Sequence, residues 1–393
     1  MAWVMALNTK LNFNSMNLYK KNALLITCLL CLFSCTEKQT EEINIGYIGP
    51  LTARATDLGI APSKAMQLAV KEYNETKSEN EPKVNLFIAD DKWEKNNALP
   101  AYKKLKKDHN ISIVFISNSD GTKALENSIT EDNTIVINPL NNGHFFSELH
   151  PNIFNIAKST EEANEVIAVR LIELSNKKVF IMHFPNEFMT RAANSVKRML
   201  DESLIESEIH TAIKGDTNFT EILLKAKNEG YDAYCFFGYK EFGYAMKQGR
   251  KIGIESPYYG STTLLDPEFF DNSEGAIVGT ECTFFTAADG NYSLAHEFLN
   301  KYESEYNETP FSVWPPMQAY DAMNLVLNEV RTINETKIDD ENFGDWLRKR
   351  MYRVRYFQGI CGNISIQEDG ASRGIYFSVY KYESKGILTK VKR

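Results

Sequence analysis

The chain has 393 residues, is 43% hydrophobic and 24% charged, and carries a net charge of -8. This composition fits a folded globular protein and excludes disordered and fibrous classes. The length suits two domains. Because Lys and Arg are scattered among a larger number of acids, there is no basic face of the kind a nucleic-acid partner requires.

In chain order, Lys20 and Lys21 precede the apolar run Ala23–Phe33. That is the charged region and short apolar core of a secretory leader, about half the ~20 residues needed to span a bilayer. Met16, just ahead of it, is an alternative start to Met1. The run closes on Leu32-Phe33-Ser34-Cys35. This segment resembles the lipobox of bacterial lipoproteins, which implies that Cys35 is lipidated and becomes the first mature residue. Residues 1–34 are then a signal peptide and 35–42 a polar tether.

From Ile43 onward, strands alternate with amphipathic helices. Ile43–Ile48 is predicted as a strand, Pro62–Glu75 as a helix on the spacing of Ala65, Leu68, Ala69 and Tyr73, and Val84–Ala89 as a strand followed by a helix through Leu105. Next come strand Ile111–Ile116, a Ser/Asn/Asp turn, helix Thr122–Thr130 and strand Thr134–Asn138. After 155–160 the theme restarts. Strands are expected at Val179–Phe184, Ile209–Ile213, Asp232–Phe237, Ser256–Gly260 and Gly275–Phe285, and helices at Phe188–Leu200, Phe219–Glu229 and Phe242–Ile252. A helical region follows, Tyr292–Tyr306 and Trp314–Val330. Gly359–Ile366 and Ile375–Tyr382 read as a terminal strand pair around Glu368-Asp-Gly370. Such alternation implies α/β architecture with mostly parallel sheets covered on both faces, and its recurrence implies two similar lobes.

Phosphate-loop, nucleophile-elbow, zincin and dinucleotide motifs are absent from the sequence. The six His are dispersed, and no metal site or cofactor is expected. The doublets Asp90/Asp91 and Glu161/Glu162 are better read as helix caps or surface acids than as catalytic pairs, which need a shared cleft. Of six Cys, Cys28, Cys31 and Cys35 belong to the leader. Cys235, Cys282 and Cys361 remain, an odd number that excludes a disulfide scaffold but leaves a Cys282–Cys361 bridge open.

The segment Ile43-Asn-Ile-Gly-Tyr-Ile-Gly-Pro-Leu-Thr52 resembles the opening of the leucine/isoleucine/valine-binding protein family, the type I periplasmic binding proteins of ABC importers. Further segments agree in order: Ala65–Glu75, Ile88-Ala-Asp-Asp91, Ser117-Asn-Ser119, Ile137-Asn-Pro139, Cys235-Phe-Phe-Gly-Tyr239, Gly249–Gly253, Tyr258-Tyr-Gly260 and Phe357–Gly370. The resemblance implies two doubly wound parallel-sheet lobes joined by a three-crossing hinge. Placed here, lobe 1 is 43–158 plus 286–355 and lobe 2 is 159–285 plus 356–393. It also implies a monomeric, extracytoplasmic binding protein, not an enzyme, that captures a small polar ligand (amino acid, amide or short carboxylate) by hinge closure. Its partners would be ABC permease and ATPase subunits and, through the lipid anchor, the membrane. The same fold also serves ligand sensors.

Strand-to-helix turns at carboxyl ends of sheets are where such folds bind ligands. Ser117, Asn118 and Ser119 form one such turn, with Gly121 allowing close approach; plain N-capping is the local alternative. Leu140 and Asn142 lie in the neighbouring turn, where Asn142 stands at the family's hydroxyl position. From the second lobe the resemblance places Phe188, Tyr239 and Phe284 at the ligand. Thr262 replaces the family's acid that holds an amino acid's ammonium, so the ligand is expected to lack one, since an unpaired buried charge is costly.

Overall fold

The computed structural model of the protein describes residues 42–53, 55–140, 149–288, 292–310, 312–333 and 343–392. The leader, Cys35 and the tether lie outside these residues, as does Asn142.

Two sheets organise the chain. The first is five-stranded and fully parallel, in the order β2-β1-β3-β4-β5. Its strands are β1 Glu42–Gly49, β2 Lys83–Asp90, β3 Ile113–Ile116, β4 Ile135–Asn138 and β5 Ile153–Asn155. Strands β3 and β4 are wholly buried, as their unbroken β-branched and aromatic runs require of strands covered on both faces. The second sheet is seven-stranded. Its parallel part is β7-β6-β8-β9-β10, built from β6 Lys178–His183, β7 Glu206–Thr211, β8 Ala233–Phe237, β9 Tyr258–Gly260 and β10 Glu281–Phe285. Chain order within the two parallel parts is the same, so the doubly wound layout occurs twice.

Antiparallel strands complete the second sheet: β14 Phe377–Ser384 pairs with β10, and β15 Ile387–Lys390 pairs with β14. The expected terminal strand pair is therefore divided between two sheets. Strand β12 Gly362–Ile366 pairs with β13 Ser372–Ile375 and with β11 Phe357–Gln358 in a small third sheet. Ile364 and Ile366 pack into the first sheet's core with Ile45, Phe115 and Ile137. The chain thus passes to the second sheet between Ile366 and Phe377. Asp321 ties down the turn that leads into β12: its buried carboxylate accepts from the Ile360 and Cys361 amides at 2.7 and 2.8 Å. Burial pushes that carboxyl up to about 7 despite those two bonds.

Other departures have local causes. The helix expected over 122–130 is two short ones, α3 Ser119–Ala124 and α4 Glu126–Asp132, because the Leu125 amide bonds back to Thr122 O in a tight turn. The first half of the strand expected over 275–285 is turn, because Gly275 and Gly279 adopt φ of +87° and +88°, which ends extended chain. Strand β7 begins at Glu206, ahead of the expected Ile209, and is polar but for Ile209, as an edge strand can be. Cys235, Cys282 and Cys361 are all buried free thiols, so Cys282 and Cys361 are not bridged. Among the described residues no helix is long and apolar enough to cross a membrane.

Candidate functional site

The carboxyl ends of both parallel sheets face a cleft of about 1300 Å³. In each sheet the chain order reverses at one point, between β1 and β3 and between β6 and β8, which is where open α/β sheets leave a crevice.

On the first sheet, β3 runs into Ser117, whose Oγ lies 2.9 Å from the buried Tyr47 hydroxyl. Asn118 then caps α3, its Oδ1 accepting from the Asp120 and Gly121 amides at 3.1 and 3.2 Å. Both residues sit behind the cleft wall and do not line it, so the capping role holds and these backbone donors are already engaged. Gly121 is required by packing rather than by a ligand: a Cβ there would stand 2.9 Å from Ala98 Cβ and 3.0 Å from Ile116 Cδ1. What the turn presents to the cleft is Ser119. Leu140 lines it too, at the end of the turn after β4.

On the second sheet, Asn186 follows β6 and caps the helix Glu187–Glu202 by accepting from Met189 N at 2.9 Å. Its Nδ2 donates to the Tyr239 hydroxyl at 2.9 Å, and Tyr239 also meets Phe184 edge-on at 5.3 Å. The Tyr239 ring is thereby fixed at the cleft, and burial raises its phenol above the usual range. Phe188, Thr262 and Phe284 join the lining. Of the nine expected ligand residues, the cleft collects Ser119, Leu140, Phe188, Tyr239, Thr262 and Phe284.

The cleft also brings together residues that sequence reasoning passed over. Lys158, Asn164, Thr283 and Trp314 line it. Lys158 stands just ahead of Ser159, which caps the helix Thr160–Glu173 by accepting from Glu162 N. Ser159-x-x-Glu162 is a capping-box signature that marks this helix start. Lys158 is half-buried. Its Nζ donates to Thr262 Oγ1 at 3.4 Å and sits 4.1 Å from the Trp314 ring centroid. Burial lowers its ammonium to about 8.

Three buried polar atoms of the lining have no hydrogen-bond partner among the described residues: Ser119 Oγ, Asn164 Oδ1 and Thr283 Oγ1. Buried polar atoms are normally satisfied. The acids of the lining, Asp57, Asp120, Glu187 and Asp266, are exposed at its rim. Among the described residues no cluster of His, Cys, Asp or Glu is arranged to hold a metal.

Residues 42–385 match the family described as periplasmic binding protein. A leucine-, isoleucine-, valine-, threonine- and alanine-binding protein of Pseudomonas aeruginosa is 21% identical over 92% of this chain and 95% of its own. Among solved structures, the branched-chain amino acid transporter substrate binding protein LivJ of Streptococcus pneumoniae, in complex with isoleucine, superposes with a TM-score of 0.68 at 22% identity, covering 89% of this chain and all of that one. A solute binding protein of an ABC transporter from R. palustris, in complex with benzoate, gives 0.67 at 15% identity over 89% and 95%.

Proposed function

The chain belongs to the periplasmic binding protein family, and we propose that within it this protein is a lipid-anchored solute-binding component, tethered through Cys35, that delivers a small ligand to an ABC permease and its ATPase. Two lobes close on the ligand by hinge motion. They follow the chain divisions 43–158 plus 286–355 and 159–285 plus 356–393, save that Ile364 and Ile366 pack with the first sheet's core.

The observation that carries this reading is the set of unpartnered buried atoms at the cleft. Ser119 belongs to the first sheet's side, and Asn164 and Thr283 to the other. Leaving such groups unsatisfied costs about 1–3 kcal/mol each, a cost that a polar solute held between the sheets would remove. Relatives named above are in complex with isoleucine in one case and benzoate in another, so the fold accepts ligands with and without an ammonium. Thr262 at the position of the family's ammonium-holding acid favours a ligand without one.

Binding to the native state raises thermal stability, by about 2.7 kcal/mol at a hundredfold excess over Kd. Melting of the purified protein against leucine, isoleucine, benzoate and benzamide will therefore show a dose-dependent rise for at least one. Tyr239→Ala will weaken that response about tenfold while leaving the unliganded melting temperature within a few degrees. Wild-type binding by the Tyr239→Ala variant would place the solute elsewhere.

A further inference from the structure

We propose that the solute is an apolar monocarboxylate without an ammonium group, and that Lys158 is the residue that reads its charge. This rests on the solute-binding reading above and names the ligand class for the same cleft.

Lys158 leaves the first sheet just after β5 and enters the cleft where the chain first passes toward the second sheet. Its backbone is pinned there: the amide donates to Gln318 Oε1 at 2.7 Å. The ammonium rests on aromatic surface, 4.1 Å from the Trp314 centroid and 5.5 Å from that of Phe285, and among the described residues its one side-chain hydrogen bond is the long one to the neutral Thr262 hydroxyl. Half-buried Lys178 and Lys197 are paired with the carboxylates of Glu206 and Asp201, and half-buried Lys106 donates to the Ile111 carbonyl and the Thr134 hydroxyl. Among the described residues Lys158 forms no ion pair, and burial is the cause of its lowered affinity for protons. None of the charged groups on the cleft lining, Asp57, Asp120, Lys123, Glu187, Asp266 and Lys385, contributes to that shift. A half-buried cation resting on aromatic rings is favourable only in part, and a desolvated charge gains most from a direct counter-charge.

The remaining lining fits the other end of such a molecule. Phe188, Tyr239, Phe284 and Trp314 supply apolar faces, with Leu140 and Met189 between them. Ser119 and Thr283 hydroxyls, both without a partner among the described residues, can donate to a carboxylate oxygen. The acids that an α-ammonium would need are confined to the exposed rim. An amino acid would therefore place its positive group beside Lys158 and Thr262, where like charge and desolvation both oppose it.

The test is calorimetric titration of the full protein with matched probes: benzoate and benzamide, 4-methylpentanoate and 4-methylpentanamide, leucine and phenylalanine. The expected result is that at least one carboxylate binds, with its amide and its α-amino counterpart weaker by about tenfold or more. Lys158→Met will lose about tenfold or more of the carboxylate affinity, and Lys158→Arg will retain most of it.

A second readout needs no variant. With the free lysine near pH 8, a bound carboxylate favours the charged form, so titration at pH 8 in buffers of different ionisation enthalpy will show uptake of about half a proton per ligand, falling to none at pH 6. Tighter binding of leucine or of an amide than of the carboxylates would overturn the inference and leave the cleft's solute role standing. So would wild-type carboxylate binding in Lys158→Met, or carboxylate binding without proton uptake at pH 8. Absence of heat with every probe would overturn it together with the solute-binding reading itself.

Discussion

Thr283 sits on β10 with a fully buried side chain whose hydroxyl finds no acceptor among the described residues. Such a group destabilises the free protein and becomes useful only when something else enters the cleft. Thr283→Val keeps the shape and removes the hydroxyl. It will raise the unfolding free energy of the unliganded protein by about 1 kcal/mol in urea denaturation, and lower affinity for the solute several-fold. A loss in both measurements would mean that the hydroxyl is satisfied in the free protein. At this scale the sequence was informative where a residue's position after a strand decides its exposure, as for Ser119, Tyr239 and Thr262. It was misleading for Ser117 and Asn118, because the same turn chemistry that binds ligands also caps helices, and only packing decides between the two. Lys158, Asn164 and Thr283 were not legible. Their neighbours in the cleft are Thr262, Trp314 and Phe284, and no local pattern announces a lysine without a carboxylate.

The elements were read most securely where apolar runs are unbroken, as in Ile113–Ile116, Ile135–Asn138 and Ala233–Phe237, each buried along its length. The helix Thr160–Glu173 was missed although Ala163, Ile167, Ala168 and Leu171 form its buried face. Its start carries a capping box, in keeping with the reading of Glu161 and Glu162 as helix-cap or surface acids, but the apolar spacing behind them is short of a clear helical stripe in sequence. Helix α3 shows how an element positions the site. Asn118 holds its first turn, and Gly121 lets it press against Ala98 of the helix Lys95–His109 and against β3. Gly121→Ala will force those neighbours apart and cost about 1–3 kcal/mol, read as a lowered urea midpoint with unchanged slope. It will also weaken solute binding by displacing Ser119. Unchanged stability would show that the neighbours yield freely and that α3 is not held by this contact.

Over the whole molecule, a single strand order used twice places two crevices opposite each other, and the cleft is their sum. The repetition was legible in the alternation of strands and helices. The assignment of the last strands was not, because nothing local in β12 or β14 says which sheet it joins, while one packs with the first sheet's core and the other pairs in the second sheet.

Hydrogen exchange read by mass spectrometry, with and without saturating benzoate and, separately, saturating leucine, tests the cleft most directly. A solute held there will slow exchange in peptides from both sides at once, 119–123 and 158–164 together with 187–189, 239 and 262, for at least one of the two probes. Unchanged exchange in all of these peptides with both probes, or protection confined to other surfaces, would contradict the account.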